Sequence, residues 1–235
     1  MATEVHPDAD AVAGLALITG LSAAALRQVA DCAYLRHIPG GRRIFSQGEP
    51  AGRAHALLSG CVRVTQMGSD GAEIVIRFIG ADQIFGCAPL LTDGLYPADA
   101  TTMVDCIEVS WARADLLALM RQEPDIAINM TAILGRRIGE TQERLRELAT
   151  QSVERRIART LLRLLDQAGQ QADAGVRIAF PLRRKDIADI AGTTLHTVSR
   201  ILTDWERRDL LTSRKQCLIV MSPEDIRRIA EGDGG

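Results

Sequence analysis

Between Leu35 and Val109 short apolar runs alternate with glycine: Arg43-Ile44-Phe45 before Gly48, Ala56-Leu57-Leu58 before Gly60, Val62-Arg63-Val64 before Gly71, Ile74 to Ile79 before Gly80, and Ile84-Phe85-Gly86. Turn signals at this spacing predict many short strands, in a sandwich, roll or barrel. A βαβ arrangement would need helical patterns between the strands. Ser69-Asp70-Gly71 is a sound hairpin turn.

The pattern changes at Pro124. No further proline interrupts the chain through Gln151, and strong helix formers predominate, so one long helix is predicted. Ala127, Thr131, Leu134, Ile138, Thr141, Leu145 and Leu148 follow a 4-3-4-3 spacing along it. That places them on one narrow seam, as in a parallel two-stranded coiled coil. A second helix is predicted from Val153 to about Gln167, with Gln151-Ser152 as a hinge between the two. Ala168 to Gly175 reads as a loop, and Val176 to Phe180 as a short strand.

Beyond Pro181 two apolar periodicities flank one glycine. Ile187, Ala188 and Ile190 give a first helix its inner face, Gly192 sits at a turn, and Thr193 or Thr194 caps a second helix. Val198, Ile201, Leu202 and Trp205 form the buried stripe of that second helix, which leaves His196, Ser199 and Arg200 facing outward. This is a helix-turn-helix pattern, in which exposed first-turn residues read base edges in the major groove. Arg200 suits a bidentate contact to guanine, worth roughly 1–3 kcal/mol of discrimination. Arg183, Arg184, Lys185, Thr193 and Thr194 are candidates for phosphate contacts. So are Arg214 and Lys215, in the turn of a wing hairpin formed by Leu210 to Ser213 and Cys217 to Val220.

Charge supports that division. Residues 1–125 hold fifteen Asp/Glu against nine Lys/Arg, while residues 151–221 hold thirteen Lys/Arg against eight Asp/Glu, an asymmetry hidden in the net charge of −2. A basic half joined to an acidic one suggests a nucleic-acid-facing part attached to something else. The five cysteines have no CxxC spacing, so neither a disulfide framework nor a zinc site is expected. The first ten residues lack a basic n-region and a long apolar stretch. A cytoplasmic protein without a membrane partner is expected.

Three stretches together carry a family resemblance: Ile44-Phe45-Ser46-Gln47-Gly48-Glu49-Pro50 through Leu58-Ser59-Gly60-Cys61-Val62-Arg63-Val64, then Pro124-Asp125-Ile126, then Thr197-Val198-Ser199-Arg200-Ile201-Leu202. With them the chain resembles the Crp/Fnr family of bacterial transcription regulators over roughly residues 15–230. The resemblance implies an α+β fold with an N-terminal β-roll of the cyclic-nucleotide-binding type (a double-stranded β-helix or jelly roll), a long central dimerisation helix and a C-terminal winged helix-turn-helix. It implies three segments: 1–123 for effector sensing, 124–151 for dimerisation and 152–235 for DNA binding. A homodimer on a double-stranded DNA operator, with RNA polymerase as a further partner, also follows from it. In the Fnr-like branch the recognition helix carries Glu, Ser and Arg where this chain has His196, Ser199 and Arg200. TTGAT-like half-sites in an inverted repeat are therefore the expected target, with one position altered by His196.

The cyclic-AMP binders of the family place Glu, Arg and Ser where this chain has Cys87, Pro97 and Ala98. A cyclic nucleotide would leave its polar groups unpaired there, so cyclic AMP is not expected. No cysteine precedes Cys32, which removes the cluster that holds an iron–sulfur centre in the family's oxygen sensor. The resemblance is closest in style to nitric-oxide-responsive regulators of denitrification, some of them similar to haem binders. Haem is accordingly the cofactor to test, with His6, His37, His55 and Cys87 as candidate ligands. Tyr34, His55, Cys87, Tyr96 and Thr141 are the expected lining of an effector pocket. Two rival readings are a cyclic-nucleotide-type regulatory module serving an enzyme or channel, and a thiol redox protein using Cys87 or Cys106. No catalytic signature interrupts the chain, and an enzyme is not expected.

Overall fold

A computed structural model describes residues 5–92 and 94–232. Residues 1–4 and 233–235, the outer ends of the expected segments 1–123 and 152–235, lie outside the described residues. The chain begins with α1 (Ala9–Val12), a 3-10 turn at Ala16–Ile18 and α2 (Ala23–Asp31). Eight strands follow: β1 (Ala33–Ile38), β2 (Arg43–Phe45), β3 (Arg53–Ser59), β4 (Val62–Met67), β5 (Glu73–Ile79), β6 (Ile84–Phe85), β7 (Asp99–Thr102) and β8 (Cys106–Ala112). They form two four-stranded sheets ordered β1-β8-β3-β6 and β2-β7-β4-β5. This is the roll that the glycine-punctuated pattern predicts, and the turn at Ser69-Asp70-Gly71 closes β4 onto β5 through Gly68 N–H to Ala72 O at 2.9 Å.

Register explains why the first sheet serves two cores. Tyr34, Ser110, His55 and Phe85 lie opposite one another across β1, β8, β3 and β6, and Leu35, Val109, Ala56 and Ile84 form the next row. Successive rows point to opposite faces. Ala54, Ala56, Ile84, Val109 and Trp111 pack in one cluster with Val29 of α2, with Leu116 of α3 (Arg113–Gln122), and with Ile126, Met130 and Ile133. Leu57, Phe85 and Cys106 instead join Phe45, Val62, Ile79, Tyr96 and Ala100 inside the roll. The fully buried Trp111 satisfies its indole N–H on Val29 O at 3.0 Å. None of the short helices α1 to α3 is among the elements that the sequence pattern predicts.

The long helix α4 runs Pro124–Thr150, as its composition predicts. One compact unit ends at Glu140 and a second begins at Thr141, with residues 74–76 grouped with the second. The helix expected as a separate segment, 124–151, is thus shared between two units, for a physical reason. Its first half supplies Ile126, Met130 and Ile133 to the N-terminal core. Its last turns are tied into the second unit. Arg144 donates to Ile190 O at 2.6 Å, and the buried Glu147 carboxylate accepts from Arg163 at 2.9 Å and Arg159 at 3.3 Å.

After the break at Gln151-Ser152, α5 (Val153–Ala168) starts on a Ser152 cap and leads into β9 (Gly169–Ala172) and β10 (Gly175–Ile178). Residues 168–175, read as a loop, therefore contain a strand. Gln170 and Gln171 carry no apolar alternation, and pairing with Arg177 and Val176 alone makes them extended. Next come α6 (Arg184–Ala191), α7 (Leu195–Arg207), β11 (Leu211–Arg214), β12 (Cys217–Val220) and α8 (Pro223–Glu231). The C-terminal sheet is ordered β11-β12-β10-β9. No described helix is long and apolar enough to cross a membrane.

Candidate nucleic-acid interface

The turn between α6 and α7 is set by Gly192, which ends α6 at φ +62°. A Cβ there would be strained by the left-handed conformation and would collide with Leu148 Cδ2. Thr194, rather than Thr193, caps α7, its hydroxyl accepting from Thr197 N–H at 3.2 Å. The inner stripe of α7 is fully committed to packing: Val198, Leu202 and Trp205 are buried outright and Ile201 nearly so. Trp205 also donates its indole N–H to Glu154 of α5 at 3.0 Å, pinning the helix from behind. His196 and Arg200 are exposed and Ser199 is half-buried, so the structure brings the three base-reading candidates onto one outward face. An open cleft of about 520 Å³ borders Arg200 and is also lined by Val153, Glu154, Ile201, Asp204 and Arg207.

Leu195, the first residue of α7, is 48% exposed beside these three. The sequence reading missed it. Its signal was an apolar side chain three residues ahead of Val198, continuing the stripe into the first turn of the helix.

The three cations at the start of α6, Arg183 at its N-cap and Arg184 and Lys185 in its first turn, are braces within the fold. Arg183 grips the fully buried Asp186, its Nη2 donating at 2.7 Å while Asp186 accepts the Arg183 backbone N–H at 2.9 Å. Arg184 donates to Glu206 at 3.3 Å and to Ser199 O at 3.4 Å, and Glu206 in turn accepts the Ser213 backbone N–H at 3.1 Å. One ionic relay thus joins α6, α7 and the wing. Lys185 pairs with Asp189. A basic run in sequence therefore overstates the charge offered to phosphate, because each cation already has a carboxylate partner. Arg214 and Lys215 are exposed at the wing tip, where Lys215 and Gln216 hold φ of +49° and +65°. Two successive left-handed residues define a type I′ turn, here without the glycine or asparagine that usually relieves it.

Along the α4 seam Ile138, Leu145 and Leu148 are 60%, 68% and 42% exposed, and Thr131 and Thr141 are exposed as well. Ala127 is half-buried, and Leu134 packs in part against the N-terminal core. Thr131 returns its hydroxyl to Ala127 O at 2.8 Å.

His55, Cys87 and Tyr96 are buried, and Tyr96 stacks on Phe45 with ring centroids 3.9 Å apart. Tyr34 is half-buried under the Arg53 guanidinium at 4.7 Å, and Thr141 is exposed on α4. Gly86, at φ +67°, lets the chain pass close to this cluster: a Cβ would meet His55 Cδ2 at 3.0 Å and both neighbouring rings at 3.2 Å. His55 Nδ1 bonds to Glu108 and its Nε2 lies 3.3 Å from the Tyr96 hydroxyl. Arg36 donates to the same carboxylate at 2.8 and 3.1 Å. Burial holds the His55 imidazole below its ordinary value against the opposing hydrogen bond from Glu108. Burial alone would raise Glu108, but its bonds to His55 and Arg36 hold the carboxyl below the usual range.

His55 does not fit a haem iron, because both of its ring nitrogens are engaged. His6 Nδ1 bonds to Ala33 O at 2.8 Å, and His37 is exposed on β1. Cys87 is 1% exposed, and Arg137 Nη1 lies 3.7 Å from its sulfur. Of the two cysteines in the redox reading, burial pushes the Cys106 thiol up, away from the reactive thiolate.

A β-roll joined through a long helix to a winged helix-turn-helix defines a DNA-binding transcription regulator. Residues 35–123 match the cyclic nucleotide-binding domain and residues 155–229 the Crp-like helix-turn-helix domain. The chain is 34% identical over 167 residues to the cyclic AMP receptor protein of Thermus thermophilus, covering 71% of this chain and 74% of that one. It is 28% identical over 192 residues to a CRP-like cAMP-activated global transcriptional regulator of Mycobacterium tuberculosis, covering 82% and 86%. The crystal structure of the Thermus thermophilus catabolite activator protein superposes with a TM-score of 0.53 at 29% identity, covering 92% of this chain and 99% of that one. The chain belongs to the Crp/Fnr family of transcription regulators.

Proposed function

We propose that this regulator acts as a homodimer, paired through the α4 seam, and reads TTGAT-like inverted repeats with His196, Ser199 and Arg200. In this reading residues 1–123 sense an effector, 124–151 dimerise and 152–235 bind DNA, with RNA polymerase the partner at promoters. The observation that carries it is the commitment of α7: its inner stripe is buried and its opposite face offers an imidazole, a hydroxyl and a guanidinium to solvent. Thr193, Thr194, Arg214 and Lys215 serve phosphate. Arg183, Arg184 and Lys185 act first as braces.

The effector is a small molecule other than cyclic AMP. The relatives are named for cyclic AMP, but Cys87, Pro97 and Ala98 here offer neither a ribose-binding carboxylate nor a phosphate-binding guanidinium. Nitric oxide through haem, the finer expectation, gains no support from the engaged state of His55 and the burial of Cys87. Fluorescence anisotropy on a TTGAT palindrome and a scrambled duplex, across a salt titration, tests the readout. Arg200→Ala is expected to lose about 1–3 kcal/mol on the palindrome and little on the scrambled duplex. Equal affinity of the parent protein for both duplexes at every salt concentration would refute the assignment.

A further inference from the structure

One carboxylate and one guanidinium tie the wing hairpin of β11 and β12 to the helix that carries the base-reading candidates. β11 is an outer strand of its sheet, so part of its backbone has no neighbouring strand to pair with. Glu206, in the last turn of α7, supplies a partner: its Oε1 accepts the Ser213 N–H at 3.1 Å. The same carboxylate accepts from Arg184 Nη2 at 3.3 and 3.4 Å, while Arg184 Nη1 reaches Ser199 O at 3.4 Å and Thr203 Oγ1 at 3.5 Å. Ser199 is a base-reading candidate, and Arg214, next to Ser213, is a phosphate candidate. Two side chains thus span the path from one to the other. A second tie holds the tip of the hairpin, where Gln216 O accepts the Leu182 N–H at 2.8 Å. The Arg184 and Glu206 side chains are 30% and 28% exposed, so solvent screens the pair less than it would a fully exposed one. Contacts held in one rigid body reinforce each other, because the first to form has already ordered the second. A wing free to swing would make its contacts independently.

We propose that Arg184 and Glu206 are positioning residues for DNA recognition: they lock the wing tip to the base-reading face of α7, so that the phosphate contact of Arg214 and the base contact of Arg200 strengthen each other. The proposal rests on the reading of α7 and the wing as the DNA-binding surface. Its signature is a coupling between two contacts. Charge alone predicts something else: neutralising Glu206 removes a charge that repels phosphate, and neutralising Arg184 removes one that attracts it. On that account Glu206→Gln and Arg184→Gln would shift affinity in opposite directions on every duplex. As two ends of one tie, they lower selectivity together.

The test is fluorescence anisotropy of the full chain on the TTGAT palindrome and a scrambled duplex at one salt concentration. The parent, Glu206→Gln and Arg184→Gln are each measured alone, with Arg200→Ala, with Arg214→Gln and with both. In the parent, the combined change is expected to lose less affinity on the palindrome than the product of the two single losses, by about three-fold or more. In Glu206→Gln and in Arg184→Gln the two losses are expected to multiply, and the ratio of palindrome to scrambled affinity to fall several-fold in both. Circular dichroism identifies the variants that fold, and the coupling measured in either one decides the question if the other does not. Losses that multiply in the parent, a coupling that survives in a folded variant, or selectivity shifts of opposite sign overturn the positioning role. A parent that binds both duplexes equally rejects the DNA-reading assignment beneath it, so the parent alone tells the two failures apart.

Discussion

Leu145 offers the cleanest test of the dimer seam, because its side chain is 68% exposed in the single chain and contributes little to the protomer's own core. Fully burying a leucine is worth about 1.5–3 kcal/mol, so covering the exposed two-thirds should yield roughly 1–2 kcal/mol per copy. A symmetric dimer buries two copies, and Leu145→Ala should then weaken it by about 2–4 kcal/mol, on the order of a 30- to 700-fold rise in Kd. Sedimentation equilibrium over a concentration series measures that rise directly. The protomer's urea midpoint, taken below the dimer Kd, should stay unchanged. Leu134→Ala provides the contrast: Leu134 packs in part against the N-terminal core, so its truncation should lower the midpoint as well. An unaltered Kd in Leu145→Ala, or a parent that stays monomeric at high concentration, would refute the seam.

The buried Glu108 carboxyl makes stability depend on acid. Its folded pKa lies below the unfolded value of about 4.3, so its contribution is complete above that pH and is lost as pH falls through the folded value; Glu108→Gln should flatten the low-pH limb of the urea midpoint, and an unchanged limb would count against the His55–Glu108–Arg36 network. Replacing Lys215-Gln216 by Asn-Gly should relieve roughly 1–2 kcal/mol of left-handed strain per residue and raise Tm, while the salt slope of operator binding falls by about one with the lost cation. The same replacement giving a lower Tm would show that the wing tip is not strained. Leu195 should touch a thymine methyl: exchanging that thymine for uracil removes about 0.8 kcal/mol, roughly a four-fold loss of affinity for the parent and none for Leu195→Ala. Equal losses in both proteins would remove Leu195 from the readout.

What the sequence made legible, and what it hid, divides along a physical line. Periodicity reports which face of an element is buried, so the stripe Val198, Ile201, Leu202 and Trp205 marked α7 and left His196, Ser199 and Arg200 outside it. Composition likewise marked α4 from Pro124 and the strands between glycines. Partnership across the chain leaves no such trace. Arg183, Arg184 and Lys185 read as one basic run, yet Asp186, Glu206 and Asp189 claim them separately, and only Asp186 and Asp189 are near enough in sequence to have raised suspicion. His55 looked like an isolated imidazole because Glu108 stands 53 residues away. The edge strand β9 had no signal of its own, since its glutamines are extended only by the neighbour they pair with. Local packing decides α7, and local packing was readable. Inside the roll Glu108 meets His55 and Arg36 across long stretches of chain, and such a meeting leaves no motif to read.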